Sequence, residues 1–428
     1  MDARQLYDDY MITSMVAGFE PVVVERARGC TCTAADGKEY LDCFSGIAVT
    51  NAGHGHPKVI AAAKKQMDEL VHCCTYVYYS PRAGELCKVL AEITPGALNK
   101  SFLANSGAEA IEGAMRLAKQ FTGHHELLAL THSFHGRTIG TLSLTGNCGR
   151  KRGNMPYLSG VAFAPAPYCY RCPFRLEYPG CGLACAEALD DVIRFQTSGE
   201  PAMFLAEPVM GEGGIIVPPD EYFAITTRII RDWGGLFVAD EVQSGFGRTG
   251  PLFAIEHYDV EPDLMCMAKG IASGFPLGGF IARDEIAAAF EPGDHLSTFG
   301  GSPVSCAAAL ANLDVIREEG LCEQSAARGQ MLLRRLIQLK ERTPLIGDVR
   351  GRGLMIGLEL VADEKKTPAV EAAKAVRAFC REQGVLVGRG GVYGNVVRLQ
   401  PPLCISEDEC DRALRVLEQA IQGAATTP

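Results

Sequence analysis

Apolar runs and polar stops alternate through the middle of the chain. Ala108 to Lys119 has apolar residues at helical spacing and is entered through Asn105-Ser106-Gly107, a capping sequence. Glu126 to Leu130 reads as a short buried strand, and Ala202 to Ala206 as a second, stopped by Glu207-Pro208. Tyr222 to Asp232 returns to the helical period. Gly235 to Ala239 is a further strand ending at Asp240-Glu241, and Asp263 to Ala268 is a short one ending at Lys269. Strands alternating with helices predict an α/β fold whose mostly parallel sheet is covered on both faces. Ligands gather at the carboxyl ends of such strands, where Glu207, Asp240 and Lys269 all fall.

The last third follows another rhythm. Val304 to Leu339 predicts one or two long helices, broken at Pro344 and Gly347. Val349 to Leu360 reads as a glycine-punctuated strand pair, followed by a helix, a strand at Val385 to Val387 and a final helix after Ser406. That pattern predicts a smaller α+β domain. Cys169 to Cys185 interrupts the alternation as a loop insertion.

Composition narrows the class. The 428 residues exceed what one small core needs, and the apolar and charged fractions of 47% and 21% are those of an ordinary globular protein. A net charge of -10 argues against a nucleic-acid partner, which would show as a basic surface. Met1 to Val16 lacks the basic-then-apolar order of a secretory signal, and no apolar run is long enough to span a bilayer. A cytoplasmic protein without a membrane partner is expected, and most of the 17 cysteines read as reduced thiols.

The strand ends carry candidate chemistry. Lys269 follows an apolar strand directly, where desolvation lowers an amine's pKa and makes it nucleophilic. Asp240 leaves its strand into the same crevice, with Gln243 three residues on and Glu241 as the structural competitor. Ser106-Gly107-Ala108 opens a helix, whose exposed N–H groups and dipole favour an anion. Phe134 offers a flat face in Ser133-Phe134-His135-Gly136-Arg137-Thr138. Each alone has an ordinary reading: a loop lysine, a capping aspartate, a common helix start, a core phenylalanine. Together they supply what pyridoxal phosphate requires: an amine, a carboxylate for the ring nitrogen, a phosphate cradle and a stacking surface.

The order of these segments resembles the class III (omega-amino-acid) aminotransferases of fold type I, including their 4-aminobutyrate and ornithine types. Glu207-Pro208, Asp240-Glu241-Val242-Gln243, Lys269 and Thr298-Phe299-Gly300-Gly301 carry the match, which runs from Gly46-Ile47-Ala48-Val49 to Arg398-Leu399-Gln400-Pro401-Pro402. The resemblance implies that Lys269 holds pyridoxal 5'-phosphate as a Schiff base and shuttles the proton. It implies that Asp240 binds the ring nitrogen, Gln243 approaches the ring oxygen, and Ser106, Gly107 and Ala108 bind the phosphate. Phe134, His135 and Glu207 complete the expected cofactor shell. Thr298 would reach the phosphate from a neighbouring subunit, so a homodimer with shared sites is implied. Ser302 departs from the asparagine often found after Gly-Gly in the family. The implied division is 1–55 joining the small domain, 56–300 as the large cofactor-binding domain, and 301–428 as connecting helix and small domain.

The resemblance also implies substrate residues. Arg137 would take a distal carboxylate and Arg398 the α-carboxylate of the partner acid, a task that suits a planar guanidinium. Glu212 would mask Arg398 when the donor has no α-carboxylate, which favours 2-oxoglutarate as acceptor. Ile47 and the Tyr76–Tyr79 stretch are expected at the entrance. The implied activity is ping-pong transfer from an omega-amino acid, 4-aminobutyrate-like, to an oxo acid. Alternatives are pyruvate- or glyoxylate-dependent transfer from β-alanine, taurine, alanine or amines, a racemase, mutase or lyase on the same scaffold, or a non-enzymatic regulatory protein. Cys169, Cys172, Cys181 and Cys185 have a spacing that could hold zinc, but the ordinary reading, free thiols or a disulfide in a loop, is preferred, and no metal is assigned to the reaction.

Overall fold

The computed structural model describes residues 3–13, 19–153 and 156–425. Part of the Met1–Val16 stretch therefore lies outside the described residues. A seven-stranded sheet runs in the spatial order Leu98–Ala104, Gly278–Arg283, Leu264–Met267, Leu236–Asp240, Pro201–Ala206, Glu126–Leu130, Val161–Ala164. Only Gly278–Arg283 opposes the rest, pairing antiparallel with both neighbours.

The continuous apolar runs are explained by two covered faces. Leu127, Leu205, Val238 and Leu264 point to one side, against Ile111, Ala114 and Leu117 of the helix Gly107–Thr122. Leu128, Phe204, Phe237 and Met265 point to the other, where Leu189, Phe223 and Ile230 meet them. Each fully buried Leu or Phe contributes roughly 1.5–3 kcal/mol relative to exposure. With both faces apolar, the strand ends are set by the polar groups that stop the runs, Glu207 after Ala206 and Asp240 at the end of its strand.

Three strands escape the apolar pattern. Leu98–Ala104 is an edge strand with exposed Asn99 and Lys100. Gly278–Arg283 opens with two glycines, which have low strand preference. Val161–Ala164 is only four residues long and alternates between half-buried and buried positions.

The second sheet has the order Val24–Arg28, Thr31–Ala34, Glu39–Cys43, Val385–Gly390, Val396–Leu399, Met355–Leu360, Ile346–Arg352. Residues from near the two ends of the chain meet in one parallel pairing, Leu41 to Cys43 alongside Val385 to Val387. The long helical stretch is two helices, Pro303–Glu318 and Leu321–Glu341, parted by left-handed Gly320. No helix among the described residues is long and apolar enough to cross a membrane.

Arg248 ties the loops of the two sheets together. It is fully buried, and its guanidinium donates to Asn51 Oδ1 at 2.7 Å, to the Leu354 carbonyl at 3.2 Å and to the Pro401 carbonyl. Arg248→Met should lower unfolding free energy by about 3 kcal/mol, because it leaves several buried acceptors unpaired. Urea unfolding checks this, and an unchanged midpoint would contradict it.

Candidate active site

The carboxyl ends of three neighbouring strands deliver the candidate groups. Asp240 closes Leu236–Asp240 and is buried. Its Oδ1 accepts the Val242 N–H at 3.1 Å, and its Oδ2 lies 2.7 Å from His135 Nδ1. An ionised carboxylate only accepts, so that ring nitrogen carries the proton. His135 Nε2 is buried and has no hydrogen-bond partner among the described residues.

Lys269 begins a short turn directly after Leu264–Met267 and Ala268, with a left-handed φ of 49°. A lysine rarely adopts that conformation, and surrounding contacts must hold it. Asn312 does so by donating to the carbonyls of Gly270 (2.8 Å) and Ile271 (3.0 Å). Residue 270 must be glycine, since a Cβ there would lie 2.5 Å from the Asn51 amide. Desolvation lowers the Lys269 pKa, helped by Arg398, while Glu212, Asp240 and Glu207 oppose the shift.

Ser106 caps its helix, its Oγ accepting the Glu109 N–H at 3.2 Å. The helix approaches the Asp240–Gln243 turn so closely that a Cβ on Gly107 would lie 2.8 Å from Val242. The Gly107 and Ala108 N–H groups open the helix, where no intrahelical acceptor exists.

Glu207 braces the loops around the site. Its carboxylate is buried and accepts the Phe134 N–H at 3.0 Å and the Gly211 N–H at 2.8 Å. It clamps the loops bearing Phe134 and Glu212. Burial pushes its carboxyl up to about 7, with Asp240 adding to the rise and His135 opposing it. Glu241 is likewise structural, accepting the Ile255 N–H at 2.7 Å and the Ser244 hydroxyl at 2.6 Å. Gln243 accepts from Gln400 at 2.9 Å.

A cavity of about 570 Å³ opens over Lys269, with Ile47, Phe134, Arg137, Glu212 and Arg398 in its wall. Arg398 Nη1 meets Glu212 Oε1 at 2.7 Å, and its guanidinium lies over Phe44 at 5.3 Å. Burial alone would raise the Glu212 carboxyl. The charge and hydrogen bond of Arg398, aided by Lys269 and Arg150, hold it below the usual range instead. Arg137 is exposed to the cavity beside Phe134 and forms no ion pair with a described residue.

Thr298, expected at a neighbouring subunit's site, is exposed with Phe299 and lines no part of its own chain's cavity. Tyr76 is spent on the Leu103 backbone, at 2.7 Å and 2.8 Å, and stacks on Phe102, while Val77, Tyr78 and Tyr79 are exposed. The Tyr76–Tyr79 stretch therefore lines no entrance within one chain. Cys169, Cys172, Cys181 and Cys185 border one small cavity, but no three of their sulfurs converge to metal-ligand spacing. Glu20, Arg150, Lys374, Arg377, Arg381 and Arg389 line the active cavity without having been read from the chain. Lys374, Arg377 and Arg381 share a helix face at i, i+3 and i+7, a pattern indistinguishable from a solvated surface.

These residues fit pyridoxal phosphate: a desolvated amine, a buried carboxylate held by a histidine, two helix-opening N–H groups and a phenylalanine in the cavity wall. The model of the Aminotransferase class-III family matches residues 14–421.

The chain is a class III aminotransferase.

The enzyme accordingly uses pyridoxal phosphate. It is 41% identical to an acetylornithine aminotransferase of Methanothermobacter thermautotrophicus, covering 94% of each chain. It is 37% identical to a probable 4-aminobutyrate aminotransferase of Bacillus subtilis, covering 97% of this chain and 96% of that one. A solved amine transaminase from an uncultivated Pseudomonas species, in its pyridoxal-phosphate-bound form, superposes with a TM-score of 0.90 at 33% identity over 95% of both chains.

The charge arrangement predicts a pH response in the cofactor-free enzyme. Capture of pyridoxal phosphate by Lys269 would require its neutral amine, so the pH midpoint of capture should lie below that of an ordinary lysine, about 10.4. Glu212 raises this amine's pKa. Glu212→Gln should therefore shift the midpoint further down, read by the pH dependence of cofactor uptake. A midpoint that stays or rises would contradict the arrangement.

Proposed function

We propose that the enzyme moves an amino group from an omega-amino acid of the 4-aminobutyrate type to 2-oxoglutarate, in two alternating half-reactions. The Glu212–Arg398 pair carries this reading, because it gives one cavity two charge states. With the pair closed, Arg398 is neutralised and a donor needs no α-carboxylate. With the pair open, Arg398 presents a planar fork to the α-carboxylate of an oxo acid. Arg137, unpaired in the cavity, suits the second carboxylate of either substrate.

Bound pyridoxal phosphate supplies an aldehyde that accepts the amino group and a ring that delocalises negative charge. This chain's residues do the rest. Asp240 would face the ring nitrogen and keep it protonated, and the His135 N–H orients that carboxylate. Ser106, Gly107 and Ala108 would anchor the phosphate, and Gln243 would face the ring oxygen. Lys269, once free of the cofactor, is desolvated enough to take and return a proton at the carbon bearing the amino group.

A second copy of the chain completes this reading. Val77, Tyr78, Tyr79, Leu296 and Phe299 are exposed in the single chain, more apolar surface than scattered residues explain. A homodimer would cover them and bring Thr298 to the neighbour's phosphate site.

Arg398→Met should lower kcat/KM for 2-oxoglutarate roughly ten- to a hundredfold, the worth of about 1.5–3 kcal/mol in charge-assisted bonds. The donor half-reaction, followed by loss of the cofactor's visible absorbance with 4-aminobutyrate, should change far less. Equal losses in both half-reactions would sink the two-state cavity. Turnover without any oxo-acid acceptor would replace the proposed transfer by racemase-like chemistry.

A further inference from the structure

Beside the active cavity lies a second cavity of about 280 Å³, and three ligand-type side chains meet in its wall. They are Cys32, Asp42 and His54, the one group of three histidine, cysteine or carboxylate ligands found together among the described residues. Cys32 Sγ is 3.7 Å from His54 Nε2 and 3.9 Å from Asp42 Oδ2, and the last two atoms are 2.8 Å apart. None of the three lines the active cavity.

We propose that Cys32, Asp42 and His54 form a binding site for a zinc-class divalent cation, distinct from the transamination site. Bond lengths of about 2.3 Å to sulfur and about 2.0–2.2 Å to nitrogen and oxygen place tetrahedral ligand atoms roughly 3.3–3.6 Å apart. The two sulfur distances are close to that. His54 and Asp42 need part by only about half an ångström to admit the ion. A thiolate, an imidazole and a carboxylate select zinc over magnesium or calcium, which prefer all-oxygen shells. Charge also balances, since thiolate and carboxylate offset the two positive charges; binding releases two protons, that of the Cys32 thiol and the one His54 Nε2 now shares with Asp42, which raises the His54 pKa to about 10. The cavity leaves the fourth corner to water.

The ligands are held in advance. Cys32 and Asp42 sit on adjacent paired strands, Thr31–Ala34 and Glu39–Cys43. His54 is stapled by two backbone bonds to Gly29, each 2.9 Å. Asp42 Oδ1 already accepts the N–H groups of Phe44 and Ser45, at 2.8 Å and 2.9 Å, leaving Oδ2 for the ion. Those same bonds steady the segment that lays Phe44 under Arg398 and carries Ile47 to the active cavity. The two cavities share Glu20, Arg377 and Arg381 as a common wall. A bound ion would brace the floor of the substrate site without touching the reaction.

The holoenzyme, incubated with excess zinc and gel-filtered, should retain on the order of one equivalent per chain. Zinc-edge X-ray absorption should report one sulfur at about 2.3 Å with nitrogen and oxygen neighbours. Cys32→Ser and His54→Asn should both lose the zinc while keeping the cofactor's absorbance, and Cys172→Ser should keep it. Zinc should raise the Tm of the unaltered enzyme but not that of Cys32→Ser. Less than about a tenth of an equivalent would overturn the proposal. So would a four-sulfur shell, a shell without sulfur, or retention of zinc by Cys32→Ser.

Discussion

Burying charge at the ends of a doubly covered sheet costs free energy, and the rest of this molecule is organised around that cost. Asp240, Glu207, Glu241 and Arg398 are all buried. None is left without a partner. Asp240 has His135, Glu207 has two backbone N–H groups, Glu241 has Ser244 and a backbone N–H, and Arg398 has Glu212. The partners come from segments far apart in the chain. Satisfying the charges therefore fixes the loops that form the cavity.

Lys269 is the exception, and the chemistry proposed for the site rests on it. Its left-handed backbone and desolvated amine are both unfavourable, and both are held by the contacts around them. Asn312 pins the turn behind it, and Asn51 sits where any side chain at residue 270 would go. Asn51 is in turn fixed by Arg248, which also reaches the loops of the second sheet. Lys269, the residue proposed to accept the proton, is thus coupled by contact to the packing of both sheets.

How much of this was legible in the chain depended on what each residue faces. The central strands ending at Ala206, Asp240 and Met267 were readable because both faces bury apolar residues. The strands Leu98–Ala104 and Gly278–Arg283 were not, since one is polar at its edge and the other begins with glycines. Lys269, Asp240 and the Glu212–Arg398 pair stood out through the order of their motifs. Glu207 stood out too, but its structural clamp on two backbone N–H groups has no signature in residue type. The basic wall of Lys374, Arg377 and Arg381 looks like any exposed helix until the helix is packed against the cavity. Cys32, Asp42 and His54 are brought together by strand pairing and a loop staple, which spacing alone does not reveal.

The central claim is that Lys269, and no other lysine, holds the cofactor. Borohydride reduction of the yellow holoenzyme followed by peptide mapping tests it directly. The account predicts a phosphopyridoxyl group on the peptide that spans Met267-Ala268-Lys269-Gly270. A label on any other lysine, with Lys269 unmodified, would contradict it.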